Sequence, residues 1–206
     1  TVCRGADARF LVVAGDVDPV EVFGLAEKYF GNISKRALPE RKPQIEPPQL
    51  GIKRLQVKAP AELPYLLMAY RVPVLREVQT DVEPYALMML NGVLDGNDAA
   101  RLNRELVRNR RVADSTGSSY NSLSRGPGLL FLDGVPAAGK SVADVEAALR
   151  EQIRRIVEDG VSDAEMQRVK AQVIASQVFS QDSVYYQAMR IGMMETVGLP
   201  HDSVAL

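Results

Sequence analysis

From Ser141 onward the sequence carries helical patterns and no strand, so any sheet must be built from the residues before it. Val142, Val145, Leu149, Ile153 and Ile156 recur at the 3.6-residue period, with Ser141 as N-cap and Gly160 as the stop. Ser162 with Glu165 has the spacing of a capping box. The helix it opens meets no Gly or Pro until Gly192 and is predicted to be long, with Gly198 and Pro200 closing the region.

The earlier part alternates between the two periods. Phe10 to Ala14 is a short apolar run, read as a buried strand. Asp18, Pro19 and Glu21 then start a helix whose apolar positions are Val22, Leu25, Ala26, Tyr29 and Phe30, and Gly31 ends it. The segment from Arg41 to Pro48 is proline-rich and extended. Ile52 to Lys58 alternates, with Leu55 and Val57 on one face, and is expected to be a strand, as is Tyr65 to Val72. Asp81 to Leu94 reads as a buried helix, broken at Asp95-Gly96-Asn97. Asp98 is placed to cap the next helix, Ala99 to Arg108. Strands follow at Asp114 to Tyr120 and Leu129 to Asp133, joined by a polar turn. Paired strands and paired helices in this order predict an α+β fold: two layers, a mostly antiparallel sheet with helices packed on one face.

Charge and rare residues narrow the chemistry. With 25 Lys and Arg against 26 Asp and Glu, the net charge of -1 does not suit a general nucleic-acid binder. Cys3 is the only cysteine, which removes internal disulfides and thiolate metal sites. His201 is the only histidine, so neither H-E-x-x-H nor H-x-x-E-H can occur within these residues. No apolar run reaches the ~18 residues of a membrane span, and TVCRGADARF has no apolar core of a signal peptide. The chain opens almost directly into a strand and stops soon after a helix, so it is expected to be part of a longer protein.

Several local patterns could carry function. Gly134 to Ser141 matches the phosphate-loop pattern G-x-x-x-x-G-K-S, with Lys140 as the phosphate-reaching lysine. The later strand that such an enzyme needs for its magnesium-holding acid is missing, and Ser141 is already needed as a helix cap. Asp16 and Asp18 read better as turn former and cap than as a carboxylate pair. Arg101, Arg104 and Arg108 share one helical face, with Arg110 and Arg111 just beyond, and Glu105 is a natural partner among them. Met88-Met89 and Met193-Met194 read as core filler.

Three stretches together carry a family resemblance. LNGVLDGNDAARLNRELVRNRRVADSTGSSY, from Leu90 to Tyr120, resembles the glycine-broken helix pair leading into a strand in pitrilysin/insulinase-type zinc peptidases. FLVVAGDVDPVEVFGLAEKYFGNI resembles the strand–helix that opens a later half-domain of that family, and VSDAEMQRVKAQVIASQVFSQDSVYYQAMRIGMMETVGL resembles its closing helices. The resemblance spans nearly the whole chain. It implies that residues 1–206 form a single, non-zinc C-terminal half-domain, inactive alone, with the catalytic N-terminal half lying outside them. That half would hold zinc on H-x-x-E-H, and no cofactor belongs to this chain. Opposing halves would close a chamber around an extended peptide, with the zinc-bearing half and a second homologous chain as partners.

Some such halves touch the substrate backbone through an arginine and a tyrosine in V-R-x-K-x-G-L-A-Y. The matching stretch is Val107 to Asp114, one residue short. Arg108 fits the arginine, Asp114 stands where the tyrosine would be, and Tyr120 is a nearby aromatic outside the motif. Arg108 and Tyr120 are therefore the candidate substrate-binding residues. In two-chain bacterial members the second chain supplies the arginine–tyrosine pair, and many are exported, which implies a periplasmic or envelope location. A structural, core-protein-like member without peptidase activity is the alternative, with a nucleotide-binding protein using Lys140 as a third. Apolar area left open on such a half would favour a homodimer, by edge-strand pairing for example.

Overall fold

The computed structural model describes residues 10–34 and 47–200, together with the backbone of residues 2–4. Strands β1 (Val2–Arg4) and β2 (Phe10–Val12) form an antiparallel pair. Helix α1 (Pro19–Phe30) follows, capped by Asp18, whose carboxylate accepts from the Val20 amide at 2.8 Å. Strand β3 (Leu66–Val72) precedes helix α2 (Glu83–Asp95) and a π-helix (Asn103–Asn109). Strands β4 (Ala113–Tyr120) and β5 (Gly128–Pro136) come next, then helices α3 (Val142–Asp159), α4 (Asp163–Gln181) and α5 (Val184–Val197).

The main sheet has the order β3–β5–β4 and is antiparallel throughout. Strand β5 is central, and its even-numbered residues from Gly128 to Pro136 are buried. That alternation turns Leu130 and Leu132 toward the helices, as a period of two requires. Met68 of β3 lies opposite Leu132 and shares its face. The core gathers Met68 and Leu132 with Leu94 of α2, Leu102, Leu106 and Val112 around the π-helix, and Val145, Ala148 and Leu149 of α3. Gly134 lets α3 approach β5: a Cβ there would stand 2.8 Å from the Val145 methyl. A smaller cluster of Leu75, Met194 and Leu199 fastens α5 to the loop after β3.

The expected α+β class holds, with these departures. Ile52 to Lys58 is not a strand: no ladder partner lies beside it among the described residues, and Leu55 is 90% exposed. Alternation alone does not make a strand without a neighbouring edge. The long helix divides into α4 and α5 at Asp182-Ser183, where the Ser183 hydroxyl accepts from the Tyr186 amide at 3.4 Å. Among the described residues three helices, not two, therefore follow the sheet. Ser162 caps α4 by accepting from the Glu165 amide, but Glu165 does not return the bond because Arg101 takes its carboxylate. Asp98 caps nothing through its side chain; the Asn97 side chain accepts from the Ala99 amide instead. Met194 is core, whereas Met88 is 41% exposed. Of the extended connection predicted from Arg41 to Pro48, residues 41–46 lie outside the described residues.

Candidate functional site

The stretch from Asn97 to Asp114 begins as ordinary helix and then widens. The Arg110 amide donates to the Glu105 carbonyl at 3.0 Å, five residues back, and the Val112 amide donates to Leu106 at 2.8 Å. Leu102 and Leu106, both fully buried, anchor the inner side. Such π-turns are uncommon and often sit at functional places. Arg111 follows in the left-handed region, at φ 49°, a conformation that costs a residue with a Cβ. Counted back from Asp114, it occupies the glycine position of the pattern introduced above. Asp114 is the extra residue of a bulge, since Ala113 pairs with Pro136 and Ser115 with Val135.

Each arginine of the run has its own environment. Arg101 donates to both Glu165 oxygens, at 2.9 and 2.6 Å, and both side chains are nearly buried. That bidentate pair ties the π-helix entry to α4. The Arg101 guanidinium holds the Glu165 carboxyl below its ordinary range, against the opposing effect of burial. Arg104 donates to Glu105 at 2.8 Å, the partner expected from sequence. Arg108 donates to the Asp98 carbonyl at 2.6 Å, which folds its side chain back along the helix. Arg110 has no ion pair among the described residues.

Tyr120 lies at the far end of β4. Its hydroxyl donates to the Pro73 carbonyl at 2.6 Å, and burial raises its pKa. The eight residues of β4 span roughly 23 Å. Arg108 and Tyr120 thus flank opposite ends of the strand and are not brought into one site.

Gly134 to Ser141 does not form a phosphate cradle. Gly134 is paired within the sheet, opposite Leu66 and Thr116. The amides of Ala137, Lys140 and Ser141 donate to the Val112 carbonyl, the Ala137 carbonyl and the Asp144 carboxylate. Ser141 and Asp144 form a reciprocal capping box at the start of α3.

A pocket of about 480 Å³ lies between the end of the π-helix and α3, lined by Arg110, Val112, Lys140, Asp144, Ala147, Ala148, Glu151 and Arg155. Arg110 and Lys140, far apart in the sequence, are brought to one pocket only by the fold. The signal was available on α3, where positions 144, 147, 148, 151 and 155 share one helical face. Among the described residues no three His, Cys, Asp or Glu side chains are grouped to hold a metal, and His201 lies outside them. The described residues therefore do not fit a zinc site. No described helix is long and apolar enough to cross a membrane.

Comparison with known proteins supplies a wider context. The family model described as the peptidase M16 inactive domain matches residues 7–173. An uncharacterized zinc protease of Bacillus subtilis (strain 168), YmxG, is 24% identical over 189 residues, covering 92% of this chain and 44% of its own length. A protease from Helicobacter pylori superposes with a TM-score of 0.68 at 16% identity, over 93% of this chain and 49% of that one. The first half of the periplasmic protease PqqL from Escherichia coli gives 0.60 at 13% identity, over 92% and 42%. At these identities the two structures speak for the fold alone. The chain spans less than half the length of each of these relatives.

Proposed function

The chain belongs to the peptidase M16 inactive-domain family, and from that premise we propose that it is the non-catalytic C-terminal half of a zinc-dependent metalloendopeptidase. It walls one side of a peptide chamber and docks against a zinc-bearing half and a second homologous chain. The observation that carries this reading is the family match over residues 7–173 in a sequence whose single histidine leaves no zinc motif. Zinc belongs to the other half, and no catalytic step is assigned to this chain. Its apolar surface agrees with a covered state. Val20 of α1 is 78% exposed, and Leu50 beyond it is 98% exposed, although both are good core residues. Without a partner, such faces favour self-association, so the isolated chain forms homodimers visible by sedimentation.

Arg108 is proposed to contact the peptide backbone at the rim, released from the Asp98 carbonyl when substrate arrives; Tyr120 borders the same wall further along β4. The test is reconstitution. The isolated chain should cleave no peptide, and adding the zinc-bearing half of the same protein should produce cleavage that a chelator abolishes. Cleavage by the isolated chain, or failure of the two halves to associate, refutes the proposal. An upstream half lacking H-x-x-E-H would mark a structural member of the family instead.

A further inference from the structure

The pocket between the π-helix and α3 holds an imbalance of partners. Its two acids are already engaged. Asp144 accepts from the Ser141 amide at 2.8 Å and the Ser141 hydroxyl at 2.7 Å. Glu151 accepts from Arg154 at 2.6 Å and from Arg155 at 3.1 Å. Two of its cations, Arg110 and Lys140, have neither a hydrogen bond from the side chain nor an ion pair within 4.0 Å among the described residues, and Lys140 meets the charge of Asp144 only at longer range. Arg155 uses only its Nε. Val112, Ala147 and Ala148 supply the apolar part of the lining. Guanidinium and ammonium groups with a small apolar lining suit an anion carried on a short methylene stem. The volume, about 480 Å³, lies within the range of small-ligand sites.

Charge number distinguishes between anions. Arg110, Lys140 and Arg155 stand in the lining with Asp144 and Glu151, three cations against two acids, so the net charge of the lining is matched by a singly charged carboxylate. Three amides of the adjoining loop, those of Ala137, Lys140 and Ser141, are spent on internal bonds. Arg110 lies two residues beyond Arg108, in the stretch that resembles a substrate-touching motif.

We propose that this pocket binds one carboxylate of a peptide chain, held between Arg110 and Lys140 with its methylenes on Val112, Ala147 and Ala148. The assignment of the ligand as a peptide rests on the chamber reading above. It gives the non-catalytic half a specificity role: it selects acidic positions in the substrate. The carboxylate can come from an Asp or Glu side chain or from a peptide C-terminus, and the two sources separate experimentally.

Fluorescence anisotropy would use three labelled peptides of one sequence: internal Glu with an amidated end, internal Gln with an amidated end, and internal Gln with a free carboxyl end. One of the two carboxylate peptides should bind about tenfold more tightly than the Gln amide, and its identity names the source. The preference should weaken with salt. It should vanish in the Arg110→Ala, Lys140→Ala double variant, with Gln-amide binding unchanged. Both positions are exposed, and an unchanged circular dichroism spectrum checks the fold. Equal affinity for all three peptides overturns the pocket while sparing the chamber reading. No binding by any peptide overturns the pocket and counts against the chamber as well, which restored cleavage tests separately. Inorganic phosphate displacing the carboxylate peptide at equal or lower concentration than acetate overturns the carboxylate assignment.

Discussion

The three-stranded layer with α2, the π-helix and α3 stands in contrast to the segments around it. In the layer, apolar periodicity and burial coincide: Leu94, Leu106, Leu132 and Leu149 are wholly inaccessible. In α1 no residue is buried, and Val20, Phe23, Tyr29 and Phe30 remain in solvent. Leu50, Ile52, Leu55 and Val57 repeat the pattern without any helix at all. At the turn between α4 and α5, Phe179, Tyr185 and Tyr186 are exposed, the two tyrosines edge-to-face with centroids 5.7 Å apart. The same residue types thus do two kinds of work. Inside the layer they hold this chain together; outside it they remain exposed.

The sharpest way to break that contrast is to truncate one member of each set. Leu149→Ala should cost about 4 kcal/mol, because its neighbours cannot close the cavity. Val20→Ser should fall within about 0.5 kcal/mol of the parent. Urea denaturation followed by circular dichroism reads both, and equal losses would dissolve the distinction.

Next in size is the tie between the layer and α4. Glu165→Ala strands Arg101 and should cost about 2–3 kcal/mol, below the fully buried range because both side chains keep some exposure. The pH dependence has a definite sign. The folded pKa of Glu165 is depressed, so its stabilisation is complete above the ordinary Glu range, near ~4.3, and is lost as pH falls through the lower folded value. Glu165→Gln should therefore lose less stability than the parent on acidification below about pH 4. Parallel acid titrations of the unfolding midpoint would show it, and identical slopes would remove the pair from the account.

Smaller again are the caps. Ser141→Ala removes half of a capping box on a helix that feeds the core, and should cost about 1 kcal/mol of global stability. Asp18→Ala removes the corresponding bond on α1. There it should appear as faster amide exchange confined to α1, with little change in the global midpoint.

The smallest effect sharpens the contrast most. Leu55→Ser should leave the isolated chain unchanged, within about 0.5 kcal/mol, yet, if the proposed docking holds, weaken association with the zinc-bearing half. Unaltered association would return Leu55 to ordinary exposed surface.

Much of the fold was legible because local chemistry and packing agreed. Asp18-Pro19, Ser141 and Gly160 set helix boundaries that tertiary contacts did not revise. The misreadings occurred where the decision lay elsewhere in the molecule. Ile52 to Lys58 has strand chemistry, but a strand also needs an edge. The π-helix has an α-helical sequence, and its widening follows from keeping Leu102 and Leu106 inward while Arg111 turns the chain into β4. The α4–α5 break carried a visible signal in Asp182-Ser183, hidden by the usual reliance on Gly and Pro. Of the candidate site, Arg108 and the neighbouring arginines were legible as a run on one helix. The pocket was not, because Lys140 and Arg155 reach it from residues far along the sequence.

One contact gives the exposed segment a different character. Both terminal nitrogens of Arg54 reach Glu146 of α3, each at 2.7 Å, and Glu146 also accepts from Arg150. The fork ties the segment before β3 to α3. Loop entropy grows with the logarithm of length, so the stretch from Arg54 to β3, closed at both ends, wanders less than it would untied. Leu50, Ile52, Leu55 and Val57 are consequently presented on a tether of restricted reach. If the docking proposed above uses these residues, the Arg54–Glu146 fork has already met part of the entropy cost of ordering them.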